Sequence, residues 1–149
     1  MWNDSKSLKL SKISVIHFGV LLVACVILAP RLVDRLLLMS AMASLAGKGM
    51  FLTTIYSGCI PAALLLSCLY LLLQRISAGE VFVDRNIFYL RSISWCCFCG
   101  AAICIASAFY YLPWAAIGIA AAFMGLVVRV VKNVIAKAVS LQDDADYTI

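Results

Sequence analysis

The sequence predicts an all-α membrane protein: a four-transmembrane-helix bundle with both termini cytoplasmic and a short interfacial helix in the first outer loop. Three observations carry that expectation. Ser92 to Val128 is a run of 37 residues without one charged side chain. A single span needs about 20 apolar residues, so this run suffices for two, with Tyr110-Tyr111-Leu112-Pro113-Trp114 as the turn between them. Hydrophobic residues make up 65% of the 149-residue chain and mean hydropathy is +1.06, beyond the balance of a soluble domain. Finally, the basic residues fall unevenly between the apolar runs.

Two further charge-free runs, Ile13–Ala29 and Gly49–Gln74, complete the set. In lipid every backbone polar group needs an internal partner, so these runs must be helices. Spans are expected at about 13–30, 50–74, 86–110 and 114–139, in one domain covering 1–149, with a cytoplasmic acidic tail at 140–149. Lys6, Lys9 and Lys12 ahead of an apolar stretch resemble a secretory signal. Cleavage after Ala29 would place bulky Ile27 at the −3 position and Pro30 just after the cut, so the first helix is expected to stay uncleaved.

Orientation follows from charge. Lys6, Lys9 and Lys12, then Arg75, Arg85 and Arg91, then Arg129, Lys132 and Lys137 fall on one side, against Arg31, Arg35 and Lys48 on the other. Basic excess marks the cytoplasmic face, which puts both termini inside and the Tyr110–Trp114 aromatics at the outer headgroup belt. The formal charge of +5 is therefore a topology signal, and no groove-reading basic element for direct nucleic-acid binding is visible. Between Arg31 and Lys48, the uncharged apolar stretch is too short to span and reads as a helix lying on the outer surface.

The loop from Arg75 to Arg91 is better specified. Gly79 suits a helix C-terminal cap, Asp84 an N-cap, and Val83 with Phe88 a hydrophobic staple, with Phe82 anchoring the turn to the bundle. Glu80, Arg85, Asn86 and Arg91 would then be exposed for docking, beside the simpler reading of a well-capped helical hairpin. The last helix leaves the membrane amphipathic and ends in Asp143-Asp144-Ala145-Asp146-Tyr147-Thr148-Ile149. Such an end suits a solvated tail, or an extended segment pairing with a sheet edge or filling a pocket.

Chemistry is sparse. His17 is the sole histidine and lies about one turn inside its span, so an interfacial role is expected. Cys96 and Cys99 have C-x-x-C spacing, but the other thiols are scattered and only one histidine is present, so the seven cysteines read as small core residues rather than a metal or redox site. No phosphate loop, nucleophile elbow or carboxylate pair appears. The chain is thus expected to be neither an enzyme nor a cofactor carrier. Pro61 is expected to kink the second helix. Small residues (Gly100, Cys104 and Ala108; Gly118 and Ala122; Ala121 and Gly125) suit close packing in the last hairpin, and are also compatible with a homodimer.

Gly79-Glu80-Val81-Phe82-Val83-Asp84-Arg85-Asn86, followed by Leu90-Arg91-Ser92-Ile93, resembles the middle signature of a bacterial family of small four-helix membrane proteins of unknown function. The ending Asp146-Tyr147-Thr148-Ile149 is similar to that family's carboxy-terminal Asp-Leu-Thr-Ile, with Tyr147 in place of leucine. Members are often encoded beside a very small Cro/CI-type helix-turn-helix regulator. The resemblance implies a multi-pass protein of the bacterial cytoplasmic membrane whose partners are the lipid bilayer and such a regulator. Glu80, Phe82, Arg85, Asn86, Arg91, Asp143, Asp144, Asp146, Tyr147, Thr148 and Ile149 are the candidate partner-binding residues. A second class remains open: an immunity or export protein against a membrane-active peptide, working through the outer loop, or a small dimeric transporter.

Overall fold

The computed structural model describes residues 4–40 and 47–148. They form four helices: α1 (Asp4–Met39), α2 (Lys48–Ser77), α3 (Asp84–Ser107) and α4 (Pro113–Tyr147). All four are long and apolar enough to cross a membrane. They run up and down, each packed on its neighbour along the chain, and the bundle is open between α1 and α4.

Several boundaries depart from the sequence expectation. Helix α1 continues through Pro30 and absorbs Leu36–Met39, which were expected in a surface helix. The remainder of that expected helix, 41–46, lies outside the described residues. Proline is tolerated because its loss is repaired nearby. Pro30 has no N–H for the Val26 carbonyl four residues back, and the Tyr56 hydroxyl of α2 donates to that carbonyl at a long 3.5 Å. Helix α2 likewise runs through Pro61 without a break. Helix α3 stops at Ser107 rather than 110, and Pro113, suited to a first helical position, opens α4.

Two clusters hold opposite ends of the bundle. At one end Phe51 is fully buried, packed with Val33 of α1 and with Tyr110, Tyr111 and Trp114 of the hairpin. The two tyrosine rings meet Phe51 edge-on at 5.1 and 5.2 Å. Tyr110, Tyr111 and Trp114 are thus half-buried against Phe51, and Phe109 is the ring left outside at 97% exposure. At the other end Leu72, Leu90 and Ile93 form the second cluster, with Val128 and Ile135 of α4 packed against it.

Lipid tails are as apolar as leucine, so helix pairing depends on close approach and interhelical polar bonds. Gly118 and Gly125 supply the close approach between α3 and α4. A Cβ on Gly118 would fall 2.7 Å from Ile105 Cγ1 and 3.1 Å from the Ala101 carbonyl oxygen. One on Gly125 would meet Cys97 Cβ at 3.1 Å and the Phe98 ring at 3.2 Å, while Gly100 faces open space. The Ser94 hydroxyl donates across the same seam to the Gly125 carbonyl at 2.9 Å. Between α2 and α3, Thr54 Oγ1 lies 2.7 Å from Ser107 Oγ and 2.6 Å from the Tyr110 hydroxyl. Ser107 donates its proton to the Ile103 carbonyl at 2.8 Å. Thr54 then donates to Ser107, and the Tyr110 hydroxyl, which also donates to the Met50 carbonyl at 3.3 Å, has one proton for two acceptors.

Leucine at Gly118 should split the α3–α4 hairpin, at a cost of about 1–3 kcal/mol from overpacking, whereas alanine at Gly100 should change nothing measurable. Replacing Thr54 with valine should cost about 0.6–1.7 kcal/mol. Thermal unfolding of the three variants in one detergent checks the order.

Candidate functional site

The turn between α2 and α3 is built as a rigid unit. Gly79 takes φ +87°, which carries the chain out of the helix. The Gly79 N–H then bonds the Ile76 carbonyl and the Glu80 N–H the Arg75 carbonyl, each at 3.1 Å. That pair of bonds is the Schellman arrangement, so the expected glycine cap is present. Above it, Arg75 Nη1 reaches Glu80 Oε2 at 2.8 Å.

Asn86 closes the turn from the other side. It is 1% exposed, and its side-chain amide donates to the carbonyls of Glu80 at 2.6 Å and Val81 at 2.9 Å. Asn86 is therefore a clamp inside the turn, not the exposed docking residue expected from sequence. Asp84 is also reassigned. Val83 occupies the N-cap position with extended backbone, without a side-chain cap bond, and the Asn86 N–H bonds its carbonyl. Asp84 is instead the first helical residue, where a carboxylate is favoured by the positive end of the helix. Phe82 does not anchor the turn beneath; it is 52% exposed, with Val81 and Val83 exposed beside it. Phe88, the proposed staple partner, is also exposed and meets Tyr89 edge-on. A hollow of about 320 Å³ lies alongside, lined by Leu71, Gln74, Arg75, Ala78, Glu80 and Tyr89.

The acidic end is helical. Helix α4 continues to Tyr147, Val139 is its last buried residue, and 140–148 are all exposed. Asp143, Asp144, Asp146, Tyr147 and Thr148 thus stand clear of the bundle on a rod, with the Thr148 hydroxyl bonded to the Asp144 carbonyl. The extended, edge-pairing form is corrected accordingly, and Ile149 lies outside the described residues. Because α3 and α4 are antiparallel, this rod and the Gly79–Val83 turn share one end of the bundle.

Arg85 is exposed at that end. Arg91 lies two turns along α3 and borders a different hollow, together with Arg129 and Lys132 of α4. The sequence reading set Arg91 on the docking surface of the turn and took Arg129 and Lys132 as topology markers on an amphipathic helix end; the i, i+3 spacing of the latter two was the available sign of a shared face. His17 is exposed on α1 and meets Phe18 edge-on at 6.3 Å. All seven cysteines are free.

Four apolar helices in an up-and-down bundle define a multi-pass helical membrane protein. The chain belongs to the family described as "Protein of unknown function (DUF2975)", whose model matches residues 8–149. The resemblance seen in the Gly79–Ile93 and Asp146–Ile149 stretches is thereby borne out at the level of family. No curated protein and no solved structure matches the chain.

Replacing Asn86 with leucine should leave the Glu80 and Val81 carbonyls without their clamp, at about 1–3 kcal/mol. Faster proteolysis within Gly79–Val83, with overall helicity kept, is the expected readout.

Proposed function

We propose that the protein is a non-enzymatic membrane tether that holds a small cytoplasmic helix-turn-helix regulator at the bacterial plasma membrane, with both termini inside. One observation carries the reading: the last turn of α4 is acidic, exposed and without an ion-pair partner among the described residues. A helix C-terminus carries roughly half a negative charge, so carboxylates there are disfavoured. Asp143, Asp144 and Asp146 sit in that position, with no basic residue in the last turn to offset them. A cationic partner relieves the conflict, and the phosphate-contacting face of a small DNA-binding protein is cationic. The Gly79–Val83 turn offers a second, rigid contact in Val81, Phe82 and Val83, beside the Arg75–Glu80 hollow. The regulator class itself rests on the family resemblance. Occupying its basic face would compete with DNA, which makes the tether a means of holding the regulator inactive.

Affinity capture from the native cytoplasm, using detergent-solubilised full chain and a chain ending at Gln142, tests this. A small DNA-binding protein should come down with the first and be lost with the second. Its retention should also fall steeply between 50 and 300 mM salt, as expected of charge-driven contact at roughly one Debye length. Retention by the shortened chain removes the tail from the mechanism.

A further inference from the structure

Helices α3 and α4 bring three cations to the rim of one hollow. Arg91, Ser94, Trp95 and Phe98 from α3, with Arg129 and Lys132 from α4, enclose about 290 Å³. Arg91 is the last charge before the 37-residue apolar run and Arg129 the first after it. The hollow therefore sits where hydrocarbon gives way to headgroups. Its frame is fixed, since the Ser94–Gly125 hydrogen bond pins the two helices at this level. Its inner wall is aromatic: Arg129 lies 6.0 Å over the Phe98 ring, and Phe98 meets Trp95 edge-on at 6.4 Å. That contact places the guanidinium beside the aromatic wall.

Charge balance is missing. Among the described residues the ion pairs are Lys48–Asp34 and Arg75–Glu80, so Arg91, Arg129 and Lys132 have no carboxylate partner. Three like charges around one small space repel unless an anion joins them. Lys9, Arg85 and Lys137 share this end of the bundle but do not border the hollow.

The geometry points to a site for the phosphate of an anionic phospholipid headgroup between α3 and α4. Arg91, Arg129 and Lys132 take the phosphate oxygens, Arg129 with its forked donors. Trp95, 57% exposed, and Phe98 lie against the glycerol and the start of an acyl chain. A lipid is favoured over a soluble phosphate ester because a cationic rim meets an apolar aromatic wall at membrane depth, and basic pockets of this kind between transmembrane helices suit lipid headgroups. Zwitterionic lipids are disfavoured because their ammonium group meets the same three cations. The site uses neither the turn nor the acidic rod, so it stands or falls apart from the tethering role.

Native mass spectrometry of the full chain, released from a mild detergent, tests it. The probes are phosphatidylglycerol, phosphatidylcholine with the same acyl chains, and glycerol 3-phosphate. Phosphatidylglycerol should bind at least tenfold more tightly than either of the others. The R91Q/R129Q/K132Q variant should lose that preference, while K9Q/R85Q/K137Q, with the same charge removed from the same end, should keep it. R129Q alone, which is less exposed to folding failure, should weaken phosphatidylglycerol binding several-fold. Equal loss in the control triple would mean a diffuse basic surface and would overturn the site. Equal affinity for glycerol 3-phosphate would assign it to a soluble phosphate ester and overturn the lipid reading.

Discussion

The hydrocarbon layer offers backbone groups no water to bond, and that constraint organises the rest of the molecule. It makes each apolar run a helix and lets α1 and α2 continue through Pro30 and Pro61, as long as freed carbonyls find partners. It also removes the usual force that draws helices together, because lipid competes equally for apolar side chains. What remains is close approach and hydrogen bonding, and the three helix pairs use these unequally. The α3–α4 pair has Gly118 close against the facing backbone, Gly125 against the Cys97 and Phe98 side chains, and a buried serine bond. The α2–α3 pair has a relay of hydroxyls from Tyr110 through Thr54 to Ser107. The α1–α2 pair relies on the long Tyr56 bond and the exposed Lys48–Asp34 ion pair, a type worth about 0–1 kcal/mol. The α3–α4 hairpin is thus the most firmly specified part of the bundle and α1 the least.

That ranking separates what was legible in the sequence from what was not. Charge-free length alone located four helices, because in lipid one property decides both the existence and the type of an element. Helix ends were less legible. A charge does not stop a helix, so Arg31 and Arg129 marked the edge of the hydrocarbon while α1 and α4 ran on past them. The glycine cap at Gly79 was legible since a positive φ requires it locally. The role of Asn86 was not. Its amide reaches five and six residues back, and only the folded turn shows that the side chain is enclosed. Of the small residues, Gly118 and Gly125 proved to be the contact and Gly100 did not, a distinction set by the rotation of each helix about its axis. The packing of Tyr110, Tyr111 and Trp114 on Phe51 was missed because that ring is distant in sequence.

Helical continuity also decides how the charged end behaves. The sequence suggested a solvated tail or an extended segment, and an extended chain is long enough to lay Asp143, Asp144 and Asp146 across the nearby cations. As one rigid helix, α4 prevents this. Lys132 and Asp143 are eleven residues apart on a straight rod, roughly 17 Å by the helical rise. That exceeds the screening length of about 8 Å at physiological salt, so the two groups barely feel each other. The chain therefore keeps a cationic collar at membrane level and an anionic tip beyond it, each with its charge unspent. Such a collar suits anionic headgroups, and the tip stands clear of the collar. A single continuous helix thus gives this end of the bundle two separate electrostatic faces, one cationic and the other anionic.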